Sequence, residues 1–187
     1  MSEASAVQSA PRPAAAAAVS APPFIAIFRN EYSYVTNSLR RLGVPESDLE
    51  DLAHEVFLAV HRRITTYDPA RALRPWLFGI AFRAASDYRR LARHHREVAT
   101  DDIEAVDSKP TPDDALAANQ ARDLVHRALG ALDLDKRAVL VMCDIDGCPV
   151  PEIAEALGIP LNTAYSRLRL ARAEFTNVVR KMQGGAR

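Results

Sequence analysis

The 187-residue sequence contains little cysteine, glycine or aromatic side chain. Cys143 and Cys148 are the only cysteines, which is too few for a disulfide framework, and no Cys or His pair follows them at the spacing of a zinc site. The sequence also lacks a glycine-rich phosphate loop, a Ser/His/Asp grouping and paired catalytic carboxylates. We therefore expect no enzyme, no metal, no cofactor and no small-molecule substrate.

Long apolar runs are absent as well. No stretch approaches the roughly 20 apolar residues that a membrane-spanning helix needs. The alanine run Ala14 to Ala18 has no basic region before it, so it does not read as a secretory signal. These features predict a cytoplasmic protein without membrane insertion.

The formal net charge is zero, but the charges are segregated. Residues 71–96 hold seven arginines against the single acid Asp87, and residues 161–187 hold six bases against Glu174. Residues 97–117 between them hold seven acids against Lys109. Two basic faces separated by an acidic segment favour a polyanionic partner, although the overall balance gives no hint of one.

The periodicity predicts an all-α fold of two small helical domains. Residues 1–22 are rich in Ala, Ser and Pro and are expected to be a disordered tail. Residues 23–96 form the first domain: one helix from Phe24 to a stop at Gly43 and Pro45, a second over 46–64, and a third from Pro75 to about His95.

Acidic residues and two prolines make 97–112 a predicted flexible linker. The second domain spans 113–182 and is followed by a short tail, 183–187. Its three or four shorter helices are expected to break at Gly130, at 146–149 and at 158–160. No β-alternation occurs.

Residues 150–172 have a sequence pattern that is typical of a helix-turn-helix. Pro151 suits a first helical turn, Gly158 a left-handed turn residue, and Asn162 or Thr163 a cap of the second helix. Helical spacing places a packed arc at Ala164, Leu168, Ala171 and Phe175. The opposite arc is suited to base edges in a major groove and holds Asn162, Ser166, Arg169, Leu170 and Ala173, with Tyr165 on its edge. Arg167 and Arg172 flank this arc, where phosphates would lie.

The third predicted helix carries a second basic stripe. Its core side holds Trp76, Leu77, Ile80, Ala81, Ala84, Tyr88 and Leu91. A separate stripe, where small residues would let a nucleic-acid backbone approach, holds Gly79, Arg83, Ser86, Arg90 and Arg93. Phe82 borders this stripe as an exposed aromatic that single-stranded bases could stack on. We assign Trp76 to the core and give it no role in DNA binding.

The second predicted helix has an acidic stripe of Asp48, Asp51 and Glu55 opposite Leu49, Ala53, Val56 and Val60. A negative stripe does not face DNA, so it favours docking to a basic protein surface. For all three charged faces, a surface that is merely solvated remains the alternative.

Together these segments resemble the sigma-70 superfamily of RNA polymerase sigma factors, in its extracytoplasmic-function (ECF) group, from Phe24 to about Arg180. The residues that carry the resemblance are DLEDLAHEVF at 48–57, WLFGIA at 76–81 with DYRR at 87–90, and EIAEALG at 152–158 with Thr163 and the SRL of 166–168. Three matches in the family's order are far more specific than one.

The resemblance implies a transcription initiation subunit whose acidic helix docks on the clamp of core RNA polymerase. The arginine helix, together with Arg74, would melt and read the minus-ten element of promoter DNA, and the loop from Thr65 to Arg74 would hold a flipped-out base. The helix-turn-helix, with Thr163 among its DNA-binding residues, would read the minus-thirty-five element and rest on the polymerase flap. An anti-sigma factor is implied as a further partner, although no residue identifies it.

Some positions depart from the family pattern: Arg83 replaces the usual Asn, Asn162 the usual Gly and Leu170 the usual Arg, so the promoter preference stays open. Leu134 and Asp135 also lack the usual proline. The rival hypotheses are a sigma-mimicking decoy that sequesters an anti-sigma factor and a plain helix-turn-helix regulator. The arginines argue against the first, and the acidic stripe against the second.

Overall fold

The computed structural model describes the backbone of residues 22–98 and 115–184, and the side chains of 22–93 and 120–184. Within these ranges the chain is helical and contains no strand, as the periodicity predicts. The predicted N-terminal tail up to residue 21, the linker from residue 99 onward and residues 185–187 lie outside the described residues. The proposed domain limits therefore stay predictions.

Three helices form the first half. They are α1 (Phe24–Leu42), α2 (Leu49–Arg63) and α3 (Leu73–Val98), with single 3₁₀ turns at Glu46–Asp48 and Ile64–Thr66. Gly43 ends α1 with φ of 93°, a left-handed conformation that favours glycine, so the predicted stop is confirmed. Helix α3 begins two residues before the predicted start, which places Pro75 in its first turn.

The second half contains α4 (Ala115–Gly130), α5 (Leu134–Leu140), a π-helical turn (Val141–Ile145), α6 (Val150–Leu157) and α7 (Leu161–Gly184). All three predicted breaks are confirmed, but α7 has 24 residues and is not short. Because α7 begins at Leu161 directly after Pro160, Asn162 and Thr163 lie inside the helix. The expected capping role of these two residues is therefore wrong.

The two halves pack against each other, with α3 on α6 and α1 on α4 and α5. One apolar cluster runs through both, from Leu39, Leu77 and Phe78 in the first half to Leu129, Met142 and Ile153 in the second. This contact between the halves was not predicted. Among the described residues, no helix combines the length and apolar character that crossing a bilayer requires.

Candidate nucleic-acid and partner interfaces

The acidic stripe lies on the outer face of α2. Leu49, Ala53, Val56 and Val60 are buried opposite it, while Asp51 and Glu55 are exposed and Asp48 is half-exposed. Asp48 Oδ1 accepts a hydrogen bond of 2.8 Å from the Ser47 hydroxyl, and Asp48 Oδ2 accepts one from the Tyr88 hydroxyl of α3. Both hydrogen bonds lower the pKa of Asp48 below its usual value, and the bond from Tyr88 has the larger effect. Asp48 is therefore ionised at neutral pH.

The stripe forms one wall of a groove between α2 and α3 with a volume of about 470 Å³. The floor is apolar and includes Leu52, Val56, Ile80 and the 56% exposed Leu91. Leu91 was predicted to belong to the core, and this was wrong because it lies almost one turn beyond Tyr88, which already contacts Asp48 at the N-terminus of α2. The lining holds four acids, Asp48, Asp51, Glu55 and Asp87, against Arg63 and Arg83, so the groove is acidic overall with an apolar floor. Such a surface is suited to an amphipathic basic helix.

The arginine stripe of α3 is exposed at Arg83, Ser86, Arg90 and Arg93. Arg90 pairs with Asp87 one turn earlier on its own helix at 3.3 Å, and Arg83 Nη1 donates to the Gly79 carbonyl at 3.3 Å. Arg93 has no ion pair or hydrogen bond to the described residues. The stripe therefore presents positive charge that no other element of the described structure neutralises.

Two aromatic residues of α3 lie differently from the expectation. Phe82 is half-buried and packs against the core cluster, so its ring is not the exposed platform that was predicted. Trp76 is only half-buried, 4.9 Å from the Tyr67 ring, and lines a second groove of about 390 Å³. The assignment of Trp76 to the core was therefore incomplete, since Phe78 is the residue that is fully buried there.

Gly79 also lies differently. It is buried at the contact between α3 and α6, and an added Cβ would lie 2.4 Å from the carbonyl oxygen of Ala156. Gly79 therefore permits close approach of a protein helix. In this conformation it offers no surface to nucleic acid.

Two arginines at the start of α3 have different partners: Arg71 lies in the preceding loop, and Arg74 lies in the first turn of the helix. Arg74 Nε donates to Glu31 Oε2 at 3.0 Å, and its guanidinium lies 5.0 Å from the centre of the Tyr34 ring. Arg71 lines the second groove and pairs with Glu155 of α6. Arg71 is a candidate site residue that was not predicted, although its place in the excess of arginines over 71–96 was a signal.

Helix α7 buries the face that was predicted to pack and exposes the opposite face. Ala164, Leu168 and Ala171 are buried and Phe175 is half-buried, which confirms the packed arc. Thr163 is half-buried and accepts through its carbonyl from the Ser166 hydroxyl at 3.1 Å. The reading arc is exposed, with Tyr165 52% and Leu170 42% accessible, and it also holds Asn162, Ser166, Arg169 and Ala173.

The flanking arginines of α7 are tied to its own half of the chain. Arg167 pairs with Asp135 at 2.6 Å, and Arg172 makes bonds of 3.0 and 2.6 Å to both carboxylate oxygens of Asp144. The bonds from Arg172 lower the pKa of Asp144. Arg169 has no such partner among the described residues, so its guanidinium group is available to contact another molecule.

Two family models match the chain. Residues 27–95 match "Sigma-70 region 2" and residues 122–175 match "Sigma-70, region 4". The first match covers the acidic stripe of α2 and the arginine stripe of α3. The second covers the whole helix-turn-helix of 150–172, all of α5 and part of α4.

The relatives that the chain resembles in sequence include RNA polymerase sigma factors. The chain is 31% identical over 153 residues to the RNA polymerase sigma factor NccH of Alcaligenes xylosoxydans xylosoxydans, which covers 80% of this chain and 82% of the relative. It is 25% identical over 162 residues to the ECF RNA polymerase sigma-E factor of Escherichia coli K12, which covers 81% of this chain and 84% of the relative.

Solved structures share the fold. CnrH, in complex with the cytosolic domain of CnrY, is 26% identical with a TM-score of 0.61 over 83% of this chain and 86% of that chain. RpoE of Bartonella quintana, in complex with the anti-sigma factor NepR, is 20% identical with a TM-score of 0.69 over 84% of this chain and 96% of that chain. With both halves matched in order and a relative above 30% identity over four fifths of its length, the chain belongs to the sigma-70 family of RNA polymerase sigma factors, in the ECF group.

Proposed function

We propose that this sigma factor guides core RNA polymerase to promoters through three separate surfaces, in the cytoplasm where polymerase works. The observation that carries the assignment is the separation of charge. The acidic stripe of α2 and the exposed arginines of α3 and α7 lie on different helices, and of the α3 arginines Arg83, Arg90 and Arg93 only Arg83 lines the α2–α3 groove. A protein that bridges an enzyme and DNA needs surfaces of both signs.

The groove between α2 and α3 is the proposed docking site for the polymerase clamp. Asp48, Asp51 and Glu55 would attract and orient a basic helix, and apolar contact with the exposed Leu91 would supply the burial. Charge complementarity speeds the encounter and sets the register, while the apolar floor slows dissociation.

The arginine stripe of α3 is the proposed contact for the melted minus-ten strand. Arg83, Arg90 and Arg93 would neutralise successive phosphates, and Ser86 leaves room for the backbone. Trp76 lines the second groove and Phe82 does not, so Trp76 is the better candidate for contact with an unstacked base. Arg74 would support the loop, through Glu31, rather than make the first contact.

Helix α7 is the proposed reader of the minus-thirty-five element, and it would also rest on the polymerase flap. Arg169 and Asn162 can donate to base edges, and Tyr165 and Leu170 can contact thymine methyl groups. The pairs of Arg167 with Asp135 and of Arg172 with Asp144 keep these guanidinium groups beside the reading arc, where phosphates pass.

An anti-sigma factor is the further proposed partner. The Bartonella quintana RpoE that shares this fold is bound to the anti-sigma factor NepR. Such a partner has to cover a surface that initiation needs, and the α2–α3 groove, with its exposed Leu91, offers an apolar one.

Transcription from a library of promoter variants with purified core polymerase tests the whole assignment. The expected result is initiation from a subset of templates that share two elements. A decoy that only sequesters an anti-sigma factor would bind that factor and give no transcript. A plain helix-turn-helix regulator would bind duplex DNA without polymerase and would give no transcript either.

A further inference from the structure

Two arginines lie near each other without an acid that neutralises them. Arg89 belongs to α3 and is half-buried, and Arg137 belongs to α5 and is only 3% exposed. Neither arginine makes an ion pair with an acid among the described residues. Burial of a charge without a partner of opposite sign is costly, so the pair requires a physical explanation.

Main-chain oxygen atoms hold the guanidinium group of Arg137. Its Nη1 donates to the Leu42 carbonyl at the end of α1 at 2.8 Å, and its Nη2 donates to the Gly130 and Leu132 carbonyls at 2.8 and 3.0 Å. An added Cβ at Gly43 would overlap Nη1, so the glycine leaves room for the group. Carbonyls near helix ends carry only partial negative charge, so they orient the guanidinium group without cancelling its charge.

One nitrogen atom of each arginine is left without a partner. Arg137 Nε and Arg89 Nη1 are both covered by protein atoms, and neither has a hydrogen-bond partner in the described part of the chain. Every other buried side-chain nitrogen or oxygen of the described residues has a partner. Because native proteins leave few buried donors unpaired, two such atoms on neighbouring cations point to a missing acceptor.

The two positive charges also influence each other. Burial has the largest effect on the pKa of Arg137 and the charge of Arg89 has the next largest, and together they lower this pKa to about 10. Asp133, which precedes α5, acts in the opposite direction with a smaller effect. The repulsion from Arg89 is therefore stronger at Arg137 than the attraction from Asp133.

We propose that Arg89 Nη1 and Arg137 Nε hold one small inorganic anion between α3 and α5, beside the end of α1. The anion accepts one N–H bond from each arginine and supplies the negative charge that the described residues do not. Both nitrogen atoms are covered by protein, so the ligand is as small as chloride or phosphate. Neither arginine belongs to the proposed polymerase or DNA contacts, so this site goes beyond the proposed function.

The anion gives Arg89 an effect on stability whose sign depends on the salt. Without the anion, the like charges of Arg89 and Arg137 repel each other and oppose folding. With the anion bound, the folded chain gains stability as the anion concentration rises above its dissociation constant. An arginine that only packs against its neighbours would stabilise the fold to the same extent in every salt.

Thermal unfolding of the full chain in different sodium salts tests the proposal. Sodium gluconate is the reference, because its anion is too large for a covered site. Sodium chloride or sodium phosphate then replaces it in steps at constant ionic strength and neutral pH, so that general screening of charge stays the same. The Tm is measured by circular dichroism.

Arg89→Met is the informative variant. Methionine keeps a long, unbranched side chain and removes the charge and the unpaired nitrogen, while Arg137 keeps its three bonds to carbonyls. Arg29→Met is the matched control, because it makes the same change in net charge at an exposed arginine of α1.

In chloride or phosphate, the Tm of the unchanged chain should rise by a few degrees and then level off. Arg29→Met should show the same rise, and Arg89→Met less than about a third of it. In gluconate alone, Arg89→Met should be at least as stable as the unchanged chain. The salt that gives the larger rise identifies the anion.

Three results would overturn the proposal. No rise in the unchanged chain would mean that water fills the site, and an equal rise in Arg89→Met would mean that the anions act elsewhere on the surface. A lower Tm of Arg89→Met in gluconate would mean that Arg89 stabilises the fold without an anion.

Anomalous scattering locates the anion directly. Bromide replaces chloride and arsenate replaces phosphate, and crystals of the unchanged chain are soaked in whichever matches the salt with the larger rise. An anomalous peak within hydrogen-bond distance of Arg89 Nη1 and Arg137 Nε is the expected result. Peaks only at other positions would assign the effect on Tm to another site and refute this one.

Discussion

Helices α3 and α7 both present arginines, but the structure holds them differently. In α7, Arg167 and Arg172 are fixed by carboxylates from α5 and the π-helical turn. On the stripe of α3, Arg90 pairs only within its own helix, and Arg93 has no partner among the described residues. The reading arc of α7 is therefore flanked by arginines that are held in place, whereas the arginine side chains of the α3 stripe can change conformation.

This difference suits two kinds of DNA. A duplex is a stiff object whose groove must be met in one register, so fixed flanking groups favour α7 as a reader of base pairs. A melted strand has many conformations, and side chains that can follow its backbone are better placed to bind it.

The first half should be the one that docks on core polymerase. Replacing Asp48, Asp51 and Glu55 with Lys should weaken core binding on the order of a hundredfold, because like charges would then face a basic partner. Binding is measured by titration of labelled core enzyme. Glu50→Lys changes an exposed acid of the same helix outside the groove and should have little effect. Undiminished binding by the triple variant, with helicity unchanged by circular dichroism, would refute the docking assignment.

Base reading should depend on Arg169. Arg169→Ala should cost roughly 1 to 3 kcal/mol in promoter binding and relax the preference at one base pair of the upstream element. Holoenzyme binding is measured across single-base variants of the promoter. Arg180→Ala, an exposed arginine later in the same helix, is the matched control. A uniform loss with an unchanged base profile would mean that α7 is rotated relative to our assignment.

Phosphate contact should depend on Arg172. Arg172→Ala should weaken binding to all sequences and lower the salt slope by about one. Asp144→Ala leaves the arginine in place but removes the bonds of 3.0 and 2.6 Å that hold it, so its effect should be smaller and in the same direction. Binding at two salt concentrations separates these results from that of Arg169→Ala. If Asp144→Ala proves neutral, fixing of the arginine does not matter and the contrast with α3 fails.

Local patterns in the sequence were sufficient for much of the fold. The stop at Gly43 and the turn at Gly158 follow from the left-handed conformation that favours glycine, and helical spacing alone separated Leu168 from Arg169. The acidic stripe could also be assigned, since α2 has one apolar face and one charged face. Such features depend on residues a few positions apart.

Contacts between distant residues could not be predicted. The sequence shows that a glycine stands at position 79. It does not show that Ala156, 77 residues later, packs against Gly79. Arginine is rarely buried, so nothing marked Arg137, whose partners include the Leu42 carbonyl 95 residues away. The pairing of Arg172 with Asp144 likewise joins residues 28 apart. These contacts depend on the three-dimensional arrangement of helices, which periodicity does not specify.

The smallest expected effect concerns the frame that supports α7. Asp133 caps α5 by accepting from the Lys136 backbone N–H at 3.1 Å, at the place where the family's usual proline is missing. Asp133→Ala should lower the free energy of unfolding by about 1 kcal/mol, while Asp133→Asn keeps an acceptor and should lose less. Urea denaturation measures both.

The pH dependence of Asp133→Ala gives the sign of the charge contribution. Partial burial is the largest influence and would raise the pKa of Asp133, but the hydrogen bonds from Lys136 outweigh it and the pKa is lowered overall. A carboxylate with a lowered pKa stabilises the fold above the pKa of the unfolded chain and loses this contribution as pH falls through the folded value. The difference in unfolding free energy between the unchanged chain and Asp133→Ala should therefore be full at neutral pH and shrink in acid. If the difference stays constant as the pH falls into the acid range, protonated Asp133 caps α5 as well as the carboxylate does. The negative charge of Asp133 would then contribute nothing to the stability of the helices that support α7.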